Sequence, residues 1–244
     1  MFEIRHVQET DSTNDDAARV LGEPGSFGVA IVTDFQRAGK GRRERRWIAP
    51  RGSALLFTAI LPRAVPVSAL WAVPYWTGLA VAEGVERATG IHVGLQWPND
   101  LLLDGKKCGG ILCVSRVADD QAWVGCGVGL NAIRPADSEA TEDVAPAPAF
   151  LSDHKPDVER KTLLETILET FARRLGELER PEDVGPLWED RAALAGTRYR
   201  ILIDGETEPF DALARRLTFD GSLIVTRDGH EQTISLADAR IIRD

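Results

Sequence analysis

The densest chemistry in the chain lies in Gln36 to Trp47, QRAGKGRRERRW. Residues 37–46 hold six cations, Arg37, Lys40, Arg42, Arg43, Arg45 and Arg46, against the single anion Glu44, a local +5 in a chain of formal net charge -9. Gly39 and Gly41 free the backbone to wrap a ligand with its N–H groups, and guanidinium forks match the oxygens of carboxylates and phosphates. The segment suits an anion over which a loop folds. A solvated basic loop or a nucleic-acid patch has the same composition, so charge alone leaves the choice open. Two nucleotide motifs are absent: no Gly-Lys-Ser/Thr ending of a Walker P-loop occurs here, and the third glycine of a dinucleotide fingerprint would fall on Glu44.

Two further segments set glycines beside polar groups. Trp97-Pro98-Asn99-Asp100 leads through one strand and a hairpin to Lys107-Cys108-Gly109-Gly110-Ile111-Leu112. Glycines inside a strand let a ligand approach the backbone, and a β-bulge is the alternative reading. Gly125, Gly127 and Gly129 alternate, so they share one strand face, which is expected to be bare of side chains. Together these pieces describe two glycine-smoothed strands, one lysine and a closable cationic loop, a site for a flat or extended anion.

Elements must hold those residues in place. Asp11-Ser12-Thr13-Asn14 offer a cap for a short helix that stops at Gly22. Residues 28–34 and 53–60 are apolar and β-branched over strand lengths, with the basic stretch as the loop between them. Helical spacing over 68–89, with Pro74 early and Gly90 as the stop, predicts the long helix of the main domain. Strands are predicted over 93–97, 101–103, 107–117 and 122–130, a mostly antiparallel meander. Residues 137–156 read as a surface loop, in which Phe150 is more an apolar anchor than an adenine-stacking ring, and 157–179 as a helix. Beyond Gly196, short alternating runs at 198–203, 210–217, 222–226 and 231–235 are separated by Asp-Gly pairs, and a small β-barrel is expected. The predicted division is therefore 1–195 and 196–244.

The bulk numbers narrow the setting. With 43% hydrophobic and 27% charged residues the chain is globular. The negative net charge argues against a surface that binds DNA or anionic lipid along its whole extent. Neither a signal peptide nor a membrane-length apolar run is present, so a cytoplasmic location is expected. Cys108, Cys113 and Cys126 lack metal-site spacing, no metal ligand set is predicted, and all three read as small apolar residues in a reduced compartment.

Asp11 to Asn14, Ala38-Gly39-Lys40-Gly41-Arg42-Arg43 ending in Trp47, Trp97 to Asp100, Lys107 to Leu112 and Gly127 to Asn131 resemble, in order and spacing, the signature of biotin protein ligases. Asp220 to Val225 resembles that family's SH3-like end domain, so the resemblance covers nearly the whole chain. It implies an α+β fold of the class II aminoacyl-tRNA synthetase-like, biotin/lipoate ligase type, with a mostly antiparallel sheet plus a small C-terminal SH3-like β-barrel. It also implies activation of biotin by ATP, with Mg²⁺, to biotinyl-5'-AMP, and transfer to a lysine of a biotin carboxyl carrier protein, with homodimers frequent. Lys107 and Arg42 would be catalytic. Ser12, Thr13, Gln36, Gly39, Lys40, Arg42, Lys107, Gly110, Gly127 and Gly129 would bind biotin. Lys40, Arg42, Arg43, Trp47, Asn99, Lys107 and Asn131 would bind ATP or the adenylate.

Four positions depart from the pattern: Gln96 where Lys is frequent, Lys40 for Arg, Glu44 for Gly, and Ile133 for a second Asn. They bear on the affinity of the loop more than on activity. The resemblance further implies that residues 38–47 order over the ligand to keep water from the adenylate. A lipoate or octanoate ligase or transferase shares the fold and the lysine, but the GKGRR loop and the Trp-Pro-Asn-Asp turn favour biotin. A DNA-binding repressor is not expected, since the first motif starts at residue 11. A module that binds biotin without acting on ATP is the third reading.

Overall fold

The computed structural model describes residues 1–136, 147–236 and 239–242. Its main sheet contains β1 (Glu3–Val7), β2 (Val29–Thr33), β3 (Ala54–Ile60), the short β4 (Val65–Pro66), β5 (Gly94–Gln96), β6 (Asp100–Leu103), β7 (Lys106–Ala118) and β8 (Gln121–Asn131). The order is β1-β2-β3-β8-β7-β6-β5, with β4 paired to β8 off that path. The β1–β2 pair is parallel and the others are antiparallel.

Every residue of β2 and β3 is buried, because both faces of the sheet are covered. Alternation sorts the side chains: Ala30, Val32, Leu55, Phe57 and Ala59 join the main core, whereas Val29, Ile31 and Ile60 pack under α1 (Thr13–Val20) with Ala17 and Leu21. The main core is closed by α2 (Val73–Thr89) and α3 (Arg160–Arg174). α2 is shorter than its spacing predicts. Val67–Ala69 forms a 3-10 turn, and Pro74 falls in the first α-helical turn, where its missing N–H breaks no bond. Gly90, at φ 76°, ends the helix as expected. The helix predicted over 157–179 becomes α3 followed by a 3-10 segment, Leu175–Glu179.

Three elements carry too little pattern to be foreseen. β1 is an edge strand exposed at all five residues, α4 (Val184–Arg191) contains Gly185 and Pro186, and the last strand has only four residues. The first half of the loop expected over 137–156, residues 137–146, lies outside the described residues.

The C-terminal strands are β9 (Arg198–Ile203), β10 (Phe210–Leu217), β11 (Leu223–Arg227), β12 (His230–Ile234) and β13 (Ala239–Ile242), in the order β12-β11-β10-β9-β13. The small C-terminal β domain forms as expected, but as an open sheet and not as a closed barrel. β13 returns to the outer side of β9, so β12 and β13 end as the two edges of an open antiparallel sheet, with no pairing between them among the described residues. This sheet packs on the main core through Tyr199, Ile201, Ala214 and Val225, and the Tyr75 hydroxyl and the Trp97 indole N–H both donate to the Gly221 carbonyl.

Candidate functional site

The floor of the candidate site is built from β7 and β8. Cys126, Val128 and Leu130 point into the main core, so Gly125, Gly127 and Gly129 face the side that carries α1. That face is not bare, contrary to the expectation. A Cβ on Gly127 would lie 2.1 Å from Asn14 Oδ1 and 2.5 Å from the Leu112 carbonyl oxygen, and one on Gly129 would lie 2.6 Å from the Trp47 indole. The glycines make room for the protein's own Asn14 and Trp47, which then help to line the cavity.

Both readings of the Lys107–Gly110 segment are realised. The β6–β7 register pairs Leu101 with Gly109 but Leu102 with Lys107, so a bulge falls at Cys108. On the regular part of β7, Ile111 and Cys113 face the core, and Gly110 lies on the opposite, cavity side. Strict alternation would put Lys107 on the core side; the bulge reverses the parity, buries Cys108 and turns Lys107 to the side of Gly110. Lys107 Nζ lies 2.6 Å from Asp100 Oδ1 and 5.7 Å from the centroid of the Trp47 ring. Asn99 fixes the preceding turn, its Nδ2 donating to the Ile111 carbonyl at 2.7 Å while the Ile111 N–H donates to the Asn99 carbonyl at 2.9 Å.

The cationic segment, expected as a loop, folds as a tight hairpin. Lys40 bridges Arg46 antiparallel, the Trp47 N–H donates to the Gly39 carbonyl at 2.9 Å, and the Gly41 N–H donates to Arg45 at 2.7 Å. Arg43 and Glu44 form its tip with φ of 55° and 60°, a left-handed pair of the kind tight hairpins require. The hairpin is tied across to the C-terminal sheet: Arg42 Nη2 donates to the Leu236 carbonyl, and Arg43 Nη1 lies 2.6 Å from Asp204 Oδ1. Burial, helped by the charge of Arg43, lowers the pKa of Arg42, while Tyr75 and Asp100 act in the opposite sense. An arginine stays charged at neutral pH all the same.

Across the floor stands the start of α1. Ser12 occupies the cap position but makes no capping hydrogen bond, so the predicted cap is positional only. The backbone and hydroxyl of Thr13 donate to Gln36 Oε1 at 2.9 and 3.1 Å. Asn14 Nδ2 donates to the Leu112 carbonyl at 2.9 Å.

These elements enclose a cavity of about 150 Å³. Of the residues singled out in the sequence, Ser12, Thr13, Gln36, Lys40, Arg42, Arg43, Trp47, Asn99, Lys107, Gly110, Gly127 and Gly129 line it. Two do not. Gly39 lies behind the Trp47 backbone, and Asn131 donates its Nδ2 to the Ala149 carbonyl at 3.2 Å. Lys40 reaches the cavity wall with its ammonium held 2.6 Å from Asp15. Phe150 is buried beneath the Arg134 guanidinium, 4.6 Å from the ring centroid.

The structure adds residues that the sequence reading passed over. Asn14 and Asp100 stand inside quoted motifs, so their motif membership was an available signal. Arg45 and Arg46 were counted only as charge, and Ala239, Arg240 and Ile241 arrive from β13 with no local signal at all. Among the described residues, seven cations and one carboxylate, Asp100, line the cavity, which therefore favours a polyanion. Trp47 Nε1 is a buried donor without a partner among the described residues, a second group suited to an incoming acceptor.

The model of the biotin/lipoate A/B protein ligase family matches residues 7–131. A biotin--[acetyl-CoA-carboxylase] ligase of Mycobacterium tuberculosis is 30% identical over 97% of this chain and 88% of its own length. One from Paracoccus denitrificans is 29% identical, covering 95% of this chain and 98% of that protein. Against the bifunctional ligase/repressors of Bacillus spizizenii and Bacillus subtilis, each 29% identical, the chain spans 59% of their length. In fold, a biotin protein ligase from Aquifex aeolicus solved with biotin and ATP superposes with a TM-score of 0.78 at 23% identity over the whole of both chains. With the signature residues gathered around one cavity and the family model matching more than half of its length, this chain belongs to the biotin/lipoate A/B protein ligase family.

Proposed function

We propose that the protein is an ATP-dependent biotin–[biotin carboxyl carrier protein] ligase of the cytoplasm. The observation that carries this reading is that Arg42 and Lys107, 65 positions apart, line one cavity above the glycine strands. In the first step a carboxylate oxygen of biotin attacks the α-phosphate of ATP and pyrophosphate leaves. Two anions must meet, and at ~4 Å their repulsion is about 1 kcal/mol in water and roughly 4 kcal/mol at an effective dielectric of 20. Arg42 on the hairpin and Lys107 on β7 offset that charge, and Asp100 holds the Lys107 ammonium over the floor. Mg²⁺ enters on the phosphates of the nucleotide as part of the co-substrate and supplies further charge neutralisation there.

In the second step the lysine amine of the carrier attacks the activated carbonyl, and AMP leaves. The neutral polar groups Ser12, Thr13 and Gln36 serve biotin, while Lys40, Arg42, Arg43, Trp47 and Asn99 serve the nucleotide. Gly39 acts from behind the hairpin, and Asn131 by anchoring the chain at Ala149. The separate pairing of β9–β13 supports a division of the chain at 195/196. The net charge of -9 supports a protein carrier and not DNA as the partner. No helix among the described residues is long and apolar enough to cross a membrane.

Incubation with ATP, Mg²⁺ and biotin is expected to yield biotinyl-AMP, detected by mass, whereas lipoate or octanoate in place of biotin is expected to give no adenylate. Lys107→Ala is expected to abolish biotin-dependent pyrophosphate exchange with an unchanged circular dichroism spectrum. An adenylate formed from lipoate and not from biotin would overturn the assignment.

A further inference from the structure

Thr58, on β3, is fully buried and lies behind the cavity wall, among the apolar residues of its strand. Its Oγ1 is 2.7 Å from Asn14 Oδ1 and 2.9 Å from Thr13 Oγ1. The Asn14 amide is oriented by the Leu112 carbonyl, which accepts a hydrogen bond from Nδ2 at 2.9 Å, so Oδ1 faces Thr58 and can only accept. The single hydroxyl proton of Thr58 therefore goes to Asn14, and what remains for Thr13 is a lone pair. Thr13 in turn has one hydroxyl proton and two internal acceptors, Thr58 Oγ1 at 2.9 Å and Gln36 Oε1 at 3.1 Å. With either partner that proton is spent inside the protein.

We infer that the buried chain Leu112–Asn14–Thr58 fixes the Thr13 hydroxyl as a hydrogen-bond acceptor toward the cavity, making Thr58 a positioning residue that selects ligands with an N–H group at their neutral end. This rests on the biotin ligase reading, under which the cationic side of the cavity takes the carboxylate and the phosphates. The opposite end of biotin is a cyclic urea with two N–H groups, and a saturated acyl chain such as octanoate has none. Discrimination between such substrates would then come from a buried acceptor left without a partner by the wrong ligand, a large effect per group. Gly127 belongs to the same device, since any Cβ there would displace Asn14 Oδ1.

The test is steady-state pyrophosphate exchange on the full chain. Thr58→Val, which keeps the shape and removes the hydroxyl, is expected to raise KM for biotin on the order of tenfold. KM for ATP and kcat should stay as in the unsubstituted protein, and Thr58→Ser should restore KM for biotin. A biotin analogue with methylene in place of the ring N–H groups should bind the unsubstituted protein on the order of tenfold more weakly or worse, and this measurement needs no variant to fold. Should Thr58→Val also leave the protein folded, its preference for biotin over the analogue should shrink. An unchanged KM for biotin in Thr58→Val, an equal loss in Thr58→Ser, or equal binding of biotin and the analogue would overturn the inference. If the unsubstituted protein shows no biotin-dependent exchange, the ligase reading fails instead, so the two failures are distinguishable.

Discussion

Gly127 and Gly110 look alike in the sequence, but the structure gives them different demands. At Gly127 a side chain would collide with Asn14 Oδ1 at 2.1 Å and with the Leu112 backbone at 2.5 Å; at Gly110 the nearest atom would be Trp47 Cζ3 at 3.5 Å, ordinary contact. A backbone oxygen inside a paired strand cannot step aside as a flexible side chain can. Gly127→Ala is therefore expected to cost about 2–4 kcal/mol of stability and to remove exchange activity. Gly110→Ala should melt close to the unsubstituted protein. Thermal unfolding of the two variants side by side checks this, and equal melting temperatures would contradict it. The same scale explains Lys107: one extra residue at Cys108 decides which side of the sheet the ammonium reaches, and while Gly109-Gly110 allow a bulge, the apolar pattern of β7 does not say where it falls.

The hairpin of residues 39–47 has few partners within its own stretch of chain. Its tip places two non-glycine residues, Arg43 and Glu44, in the left-handed region, at a cost of about 1 kcal/mol or more each. Arg42 and Arg43 offset part of that by reaching Leu236 and Asp204 on the C-terminal sheet. The Arg43–Asp204 pair is 61% exposed on its acidic side and contributes little, so the half-buried Arg42 is the stronger tie. Arg42→Gly removes that tie together with a cation that faces the reacting anions. It is expected to slow adenylate formation and to release the adenylate that does form. Biotinylation of an unrelated lysine-rich protein, normalised to adenylate made, should rise in the variant. Equal labelling by both proteins would mean that the hairpin does not retain the product.

In the whole molecule, the C-terminal sheet is part of the site and not an appendage. β13 lines the cavity with Ala239, Arg240 and Ile241, and the sheet is held by Tyr75 from α2 and Trp97 from the strand turn, which share the Gly221 carbonyl. Gly221 sits at φ 79°, and a Cβ there would lie 2.6 Å from the Tyr75 ring. Gly221→Ala adds left-handed strain to a collision with a buried ring. It is expected to destabilise the protein by about 2–3 kcal/mol and to lower exchange activity, although residue 221 lines no part of the cavity. A melting temperature and a turnover number both equal to those of the unsubstituted protein would show that the two sheets are uncoupled.

Features that depend on near neighbours are legible in the residues alone. The cation density of 37–46, the alternation of Gly125, Gly127 and Gly129, the stop at Gly90 and the paired apolar strands all follow from local composition and spacing, and the family signature rides on those same segments. Features that depend on register become visible once the strands are paired. Thr58 meets Asn14 across 44 positions, Arg42 meets Leu236 across 194, and β13 closes on β9 without sealing a barrel. Local patterns specify which face of an element is apolar. Which polar atoms meet is fixed by how strands slide past one another, and a shift of one residue, such as the bulge at Cys108, exchanges every partner without changing the pattern.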